Sequence, residues 1–417
     1  MIHRNKIGSC TMRLRERHQH DVPVGRFRKN IKEGWHSLRT VLIFCICWGV
    51  VLVMGHSTSR GQSDGNATIE TRNLYANMKR MSGRGIMVGH QNTQTMFRDG
   101  RNFENVPPYP SDCVRAVGEY PAVHGFDFNP VNREHNLIRD EIIDAHLRGG
   151  IITISWHAHN PLSGGGHKDR AGNPMREITP GGSANEAWRS ELDKKVKFFK
   201  GLTVDGVKIP VLFRPFHEHT HNAFWWGVKS CSSEEYVSAY RYTVDYLRDK
   251  GVDNLLLVYS PYSVTRTGEE EMRSRYPGDK YVDFLAVDHY GNETYRDGEE
   301  PWEVFYREFL ENCEITASFA QKHEKPVVIA EIGVRKGLKN SSKTSWYVDL
   351  LEMLKSDAHA RQFVYMLLWQ NGPENYWVPL PGDPHHADFK SFHKDPYTLF
   401  ETDLPDMYRA PSAETGR

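Results

Sequence analysis

Beyond about residue 66 the chain repeats one pattern: short runs of unbroken apolar character alternate with stretches whose apolar residues recur every three or four positions. The runs rich in Val, Ile, Leu and Phe are "GIMVGHQN" (85–92), "AVHGFDFN" (122–129), "IITISWH" (151–157), "VLFRPFHE" (211–218), "NLLLVYSP" (254–261), "FLAVDHYG" (284–291), "PVVIAEIG" (326–333) and "FVYMLLWQN" (363–371). Apolar residues on both alternating faces predict parallel strands covered on both sides. Between them, "VNREHNLIRDEIIDAHLRGG", "EAWRSELDKKVKFFKG", "SSEEYVSAYRYTVDYLRDKG", "PWEVFYREFLENCEITASFAQKH" and "TSWYVDLLEMLKSDAHAR" carry helical spacing. The third of these opens on a serine cap, has acids in its first turn and ends in Lys-Gly, the start and stop signals of a helix. Eight strands alternating with helices predict an α/β fold, a (β/α)8 TIM barrel, over residues 67–410. A doubly wound open sheet alternates in the same way. The count of eight favours closure, and no Gly-x-Gly-x-x-Gly follows the first strand to suggest a dinucleotide site.

The start of the chain breaks the pattern. Residues 1–40 hold ten Lys or Arg against Glu16, Asp21 and Glu33, and "VLIFCICWGVVLVM" follows at 41–54 without a charge. A basic flank, a short apolar core and the small polar stretch after it predict an export signal or an anchor. The run is shorter than the ~20 residues a membrane-spanning helix needs. The predicted division is a basic leader (1–40), a hydrophobic signal or anchor segment (41–55), a linker (56–66) and the barrel. Its product is expected to be exported: secreted, periplasmic or held at the cell surface. The 53 basic and 53 acidic residues balance, so nothing draws the whole molecule to nucleic acid. Past the leader Cys113, Cys231 and Cys313 remain, widely spaced and odd in number. One disulfide with a free thiol and three buried thiols are both open.

In a barrel of this kind the active site forms at the C-terminal ends of the strands. Those ends carry Trp156 and His157; Arg214, His217 and Glu218; Asp288, His289 and Tyr290; Glu331; and Trp369. Glu218 and Glu331 each end a strongly apolar run, where an unpaired carboxylate would cost several kcal/mol, roughly. Each alone also reads as a paired structural ion. Two at one mouth, with tryptophans beside them, are the machinery of glycoside hydrolysis, one carboxyl protonated and one ionised. Trp225, Trp226 and Trp369 offer flat faces to the C–H face of a sugar, or ordinary core packing. A metal is the competing reading, because His217, His219 and His221 alternate, and so do His157 and His159. These histidines lie just past strand ends, and strand eight ends in Trp-Gln-Asn with no carboxylate. Neither a metal nor a cofactor is expected.

"RPFHE" followed by "WWG", with "VVIAEIG" about 113 residues after the first glutamate, resembles glycoside hydrolase family 26. "VGHQ", "SWHAHNP", "DHY" and "LLWQN" fit the same resemblance, which covers most of residues 70 to 400. That family lies in a clan of (β/α)8 retaining glycosidases, and its typical activity is endo-β-1,4-mannanase. The resemblance implies Glu218 as acid/base and Glu331 as nucleophile. It implies His217 as a substrate-holding histidine and His157 as lining the glycone subsites. Asp288 and Tyr290 would flank the nucleophile, the tyrosine hydroxyl bonding to its carboxylate. Trp369 would floor the subsite of cleavage, and Trp156 and Arg214 would support it at the substrate-binding site, where the residue reading also expects Trp226. Two departures are visible: Ala223 stands where an aromatic often stacks, and Gln370 where some mannanases have arginine.

The expectation is therefore a retaining hydrolase of β-1,4-mannan, galactomannan or glucomannan, or of oligosaccharides from them, monomeric or weakly dimeric and with no nucleic-acid partner. Within the family, a lichenase, a β-1,3-xylanase or a mannobiose-releasing exo-enzyme is the alternative. Outside it stand a non-catalytic glycan-binding barrel and a metal-dependent hydrolase. The Gly-rich insert Asn160 to Asn185 is expected to shape the glycone end of the cleft.

Overall fold

The computed structural model describes residues 62–100, 107–128, 135–291, 301–339 and 341–411. The predicted leader, the apolar segment and the linker up to residue 61 lie outside them. Ser63 donates through its backbone N–H and hydroxyl to the buried carboxylate of Asp283 (2.6 and 2.9 Å), which ties the first described residues to the barrel. Among the described residues no helix is long and apolar enough to cross a membrane.

Eight parallel strands close on themselves: β1 (Ile86–Gln91), β2 (Val123–Asp127), β3 (Ile151–Trp156), β4 (Val211–Pro215), β5 (Leu255–Tyr259), β6 (Phe284–Gly291), β7 (Val327–Val334) and β8 (Phe363–Leu368). Neighbours pair in chain order, and β8 pairs back onto β1 with Met87 opposite Tyr365 and His90 opposite Leu368. That closure decides against the open sheet. A two-residue strand, Thr398–Leu399, adds beside β1 where the apolar pattern gave no sign of one.

Seven longer helices accompany the strands: α1 (Ile69–Met81), α2 (His135–Arg148), α3 (Asn185–Gly201), α4 (Ser233–Asp249), α5 (Pro301–Lys322), α6 (Trp346–Ser356) and α7 (His386–Lys394). α2 to α6 are the five expected from spacing; α1 and α7 were not expected. α4 starts on a capping box, Ser232 accepting from the Glu235 N–H while the Glu235 side chain accepts from the Ser232 N–H, worth about 1 kcal/mol.

Strand alternation sorts the apolar residues into two layers. Met87, Val123, Ile151, Leu212, Leu256, Val258, Ala286, Val328 and Leu367 form the inner cluster, together with Leu74, Tyr75 and Met78 of α1. Ile152, Ile154, Phe213, Leu257, Ile329 and Met366 point outward, in one cluster with helix residues such as Ile142, Leu192, Phe199, Val244, Phe309 and Leu350. Burial of each such side chain stabilises the fold by about 1.5–3 kcal/mol. α1 thus packs into the lumen from below, and among the described residues the lumen opens at its C-terminal mouth. Cys113, Cys231 and Cys313 are free, buried thiols in the outer layer.

Candidate active site

The mouth holds a cleft of about 740 Å³, with Asp127, His157, His217, Glu218, Tyr290, Glu331 and Trp369 among its lining. The β4 side is built by a break in alternation. Leu212 faces the lumen and Phe213 the helices. After Pro215 the backbone enters the left-handed region at Phe216 (φ 50°) and again at Glu218 (φ 52°). A non-glycine residue held there costs on the order of 1–3 kcal/mol. What is gained is direction: Phe216 packs into the outer core against Trp188, while His217 and Glu218 both line the cleft. The Glu218 N–H donates to Ser260 O at 2.7 Å and fixes the turn. Further on, a side chain at Gly227 would place its Cβ 2.2 Å from His221 O, which explains the glycine after the two tryptophans.

The β7 side is built by a bulge. Val287 pairs with Ile329, but the next residue, Asp288, pairs with Glu331, so Ala330 is an extra residue. Val328 and Ala330 belong to the inner layer, Ile329 and Ile332 to the outer. Ala330 and Glu331 therefore both face inward, as bulges do when they re-aim a side chain. Gly333 follows, where a Cβ would lie 2.3 Å from the Trp377 indole nitrogen.

The two glutamates differ in what they are given. Tyr290 Oη donates to Glu331 Oε2 at 2.7 Å, and Arg214 donates through Nη2 to Glu331 Oε1. Arg214 also donates through Nη1 to Asp288 Oδ2 at 2.7 Å, and Ser260 Oγ to Asp288 Oδ1 at 2.7 Å. Glu218 keeps some of its surface open to the cleft, and among the described residues its carboxyl accepts no hydrogen bond. Burial, then the charges of Glu331 and Asp288, push the Glu218 carboxyl well above its ordinary range; Arg214 and Lys168 oppose this. Burial raises Asp288 as well, against the pull of Arg214. Arg214 is fully buried, yet its two carboxylates hold it charged. One cation for three carboxylates leaves a proton to be carried, and Glu218, without a donor of its own, is where it rests.

One carboxylate oxygen each from Glu218, Asp288 and Glu331 lie within 4.8 Å of one another. Carboxyl groups about 5–5.5 Å apart place a nucleophile against the sugar carbon, whereas roughly 6.5–9.5 Å leaves room for a water. Glu218, its pKa raised, and Glu331, held by two donors, thus face one cleft within reach of a single bond.

The histidines separate. His219 is wholly buried between Tyr236 and Tyr259, 4.6 Å from each ring. His221 sits at the cleft edge against Tyr262. His217 stays neutral, driven far below its usual range by burial and then by Arg214. The three do not converge, because left-handed backbone at Glu218 ends the extended geometry that alternation assumed. Among the described residues the grouping of ligating side chains is Glu218, Asp288 and Glu331, where the Arg214 guanidinium already supplies the positive charge.

His157 lines the cleft, with Nε2 3.2 Å from His217 Nε2 and Nδ1 2.6 Å from Asp127. Burial disfavours its charge, but Asp127 more than offsets that and raises its pKa. Two tryptophans expected to meet substrate do not face the cleft. Trp226 is fully buried behind Phe224, ring centroids 4.7 Å apart, and donates to His217 O at 2.6 Å. Trp156 points outward from β3 and stacks on Trp188 at 4.7 Å. The parity of β3 was the signal: Ile152, Ile154 and Trp156 share the outer face. Arg214 and Asp288 are buried and do not line the cleft, and Arg214 joins Asp288 to Glu331. Phe224, Tyr262 and Asp127 line the cleft without having been singled out; Asp127 ends β2 as Glu331 ends its own apolar run, so the same rule would have found it. The insert 160–185 packs on the loop after β4, Trp225 N–H donating to His167 O and Arg170 to Asn222 O, and its His167 ring lies 4.8 Å from that of His157 in the cleft.

The family model described as Glycosyl hydrolase family 26 matches residues 63–364. The mannan endo-1,4-beta-mannosidase of Bifidobacterium adolescentis is 31% identical over 393 residues, which cover 86% of this chain and 38% of that protein. The catalytic domain of a Bacillus sp. JAMB-750 endo-β-1,4-mannanase superposes with a TM-score of 0.76 at 31% identity, covering 83% of this chain and 95% of that one. A β-mannanase from Bacteroides ovatus superposes with a TM-score of 0.73 at 32% identity, covering 84% of this chain and 100% of that one. This chain thus spans less than half the length of the Bifidobacterium protein and all of the Bacteroides one.

Proposed function

The chain belongs to glycosyl hydrolase family 26, and from that premise we propose that it is a retaining β-mannanase hydrolysing β-1,4-mannosidic bonds of mannan, galactomannan or glucomannan. The observation that carries the reading is a pair of carboxyl groups with one oxygen of each within 4.8 Å of the other, one group having two donors and one having none. The mannanase activity of the similar proteins supports the choice of glycan.

In the first step Glu331 Oε attacks the anomeric carbon while the Glu218 proton passes to the departing glycosidic oxygen. The C–O bond to the leaving sugar breaks and a glycosyl ester of Glu331 forms. Arg214 and Tyr290 hold Glu331 in line. Glu218, now a carboxylate, takes a proton from a water that attacks the same carbon, and the ester bond breaks. Both enzyme groups end as they began. Trp369 floors the subsite of cleavage, and His157 and His217 bond to sugar hydroxyls there. The basic flank and apolar run at 1–55 support export of the enzyme to where its polymer lies.

Proton NMR on mannopentaose tests the chemistry. The newly released reducing ends should appear first as the β anomer and mutarotate later. First appearance of the α anomer, or no release of reducing sugar from linear mannan, would remove the proposal.

A further inference from the structure

Tyr262 and His221 line the cleft and have no part in the chemistry described above. Their ring centroids are 4.9 Å apart and their planes 40° from parallel. His221 is exposed and Tyr262 half-buried, so the pair presents a flat face to the cleft. Its position is pinned by the backbone. Tyr262 follows β5 and bridges to Asp288 of β6. Its carbonyl accepts from Thr220 Oγ1 at 3.2 Å and from Thr267 Oγ1 at 3.3 Å. Thr220 stands two residues after Glu218, whose own N–H donates to Ser260 O, two residues before Tyr262. The segment carrying the proton donor and the segment carrying Tyr262 are thus joined twice.

The order of the strands says which side of the scissile bond this face serves. Glu218 after β4 and Glu331 on β7 divide the mouth into two arcs, one of β8, β1, β2 and β3, the other of β5 and β6. His157 after β3 and Trp369 after β8 belong to the first arc, and their rings approach to 6.4 Å. A glycan whose scissile bond lies between the two glutamates crosses from one arc to the other. With the retained sugar against His157 and Trp369, the departing sugar lies over the second arc, where Tyr262 stands. A pyranose offers an apolar C–H face, and the negative face of an aromatic ring both attracts such hydrogens and shields them from water. Ala223, which also lines the cleft, has no ring to offer.

We propose that Tyr262, braced by His221, is the platform on which the first sugar of the leaving group stacks, and that the same platform holds an acceptor sugar when the glycosyl ester is passed to a second glycan instead of to water. This rests on the β-mannanase reading above, with the retained sugar beside His157 and Trp369. Binding on this side is spent on the polymer and on acceptors. A substrate whose leaving group is not a sugar gains nothing from it.

The test uses the full chain and separates the two sides of the bond. Hydrolysis of linear mannan is measured first; if it fails, the β-mannanase reading fails, whatever Tyr262 does. The enzyme is then inactivated with the β-fluoride of mannobiose that carries a second fluorine at C2 of its reducing-end sugar. The anomeric C–F bond breaks, fluoride leaves and the ester to Glu331 forms, with no departing sugar and no need of a proton. The C2 fluorine slows attack by water, so the ester persists. Added mannobiose restores activity: its hydroxyl attacks the anomeric carbon, Glu218 takes the proton and the ester bond breaks. In the parent, recovery should rise with mannobiose and saturate. Tyr262→Ala should raise the half-saturating concentration about tenfold and His221→Ala about threefold, while the rate of inactivation changes less than about twofold. Tyr262→Phe, which keeps the ring, should stay within about twofold of the parent. Three results would overturn the proposal. Inactivation slowed as much as recovery would put Tyr262 against the retained sugar. A lower maximal recovery at unchanged half-saturation would make Tyr262 a support of Glu218. Recovery in the parent that ignores mannobiose would leave the platform without a sugar. Should Tyr262→Ala fail to fold, the exposed His221→Ala carries the same comparison.

Discussion

The ends of β4 and β7 deliver the same side chain to the same cleft by opposite means. At β4 direction comes from backbone strain, with Phe216 and Glu218 both left-handed. At β7 it comes from register, one extra residue opposite Asp288. The electrostatic outcomes are opposite too. Glu331 is met by a guanidinium and a phenol hydroxyl; Glu218 is met by two neighbouring carboxylates and no donor. A glutamate is therefore not an acid or a nucleophile by itself. The supply of hydrogen-bond donors decides which, and here a single buried arginine, shared between Asp288 and Glu331, makes the difference.

The largest expected effect comes from removing the better-supplied carboxylate. Glu331→Ala should lower kcat on the order of 10⁵-fold, and azide should restore turnover as a glycosyl azide of inverted configuration, because the cavity left opposite Glu218 accepts the anion. Should azide instead rescue Glu331→Ala with retention, the roles given to the two strand ends are interchanged. Next in size, Glu218→Ala should cost about 10²–10⁴-fold on mannan and far less on aryl mannobiosides whose leaving groups need no proton. Equal losses on both substrates would deny Glu218 the donor role. In the parent enzyme kcat/KM should fall as pH rises through the elevated Glu218 pKa, since the active form is the protonated one.

How much of this was legible in the chain follows the same contrast. The barrel was readable because buried parallel strands leave continuous apolar runs, and eight of them were there. Both glutamates were readable because each ends such a run. What alternation misjudged lies where alternation stops. His217, His219 and His221 look like one face of a strand, but the left-handed turn at Glu218 sends His219 into the tyrosine core. Trp226 stands two residues after Phe224 in a loop whose hydrogen bonds, not its sequence, place the phenyl ring in front and the indole behind. The bulge at Ala330 leaves no mark in a run of eight apolar-framed residues. α1 was missed because its apolar positions are sparse, and its role as floor of the barrel depends on Leu74, Tyr75 and Met78 meeting strands far away in sequence.

A smaller change probes the donors themselves. Tyr290→Phe keeps the ring and removes the bond to Glu331 Oε2. A hydrogen bond to a charged group contributes about 1.5–3 kcal/mol, so kcat should fall roughly 10- to 100-fold with KM little changed. A change confined to KM would mean that the hydroxyl serves the sugar and not the nucleophile.

The smallest effect is on stability, and there the two ends should move in opposite directions. Glu218 has a folded pKa raised above its unfolded value by burial and by Glu331 and Asp288. Below the unfolded pKa it is protonated in both states and carries no penalty. As pH rises from there toward the folded pKa, the native state must hold a proton that the unfolded chain releases, and stability is lost. Glu218→Gln, which needs no proton, should therefore raise Tm by about 1–3 °C at pH 7–8, and the gain should vanish near pH 4. Glu331→Gln removes an ionised partner from the buried Arg214, and breaking a buried pair on one side is destabilising, so its Tm should fall across the same range. Melting curves of the two glutamines from pH 4 to 8 decide it: shifts of the same sign would mean that strain and burial, and not the unequal share of Arg214 and Tyr290, set the two carboxyl groups apart.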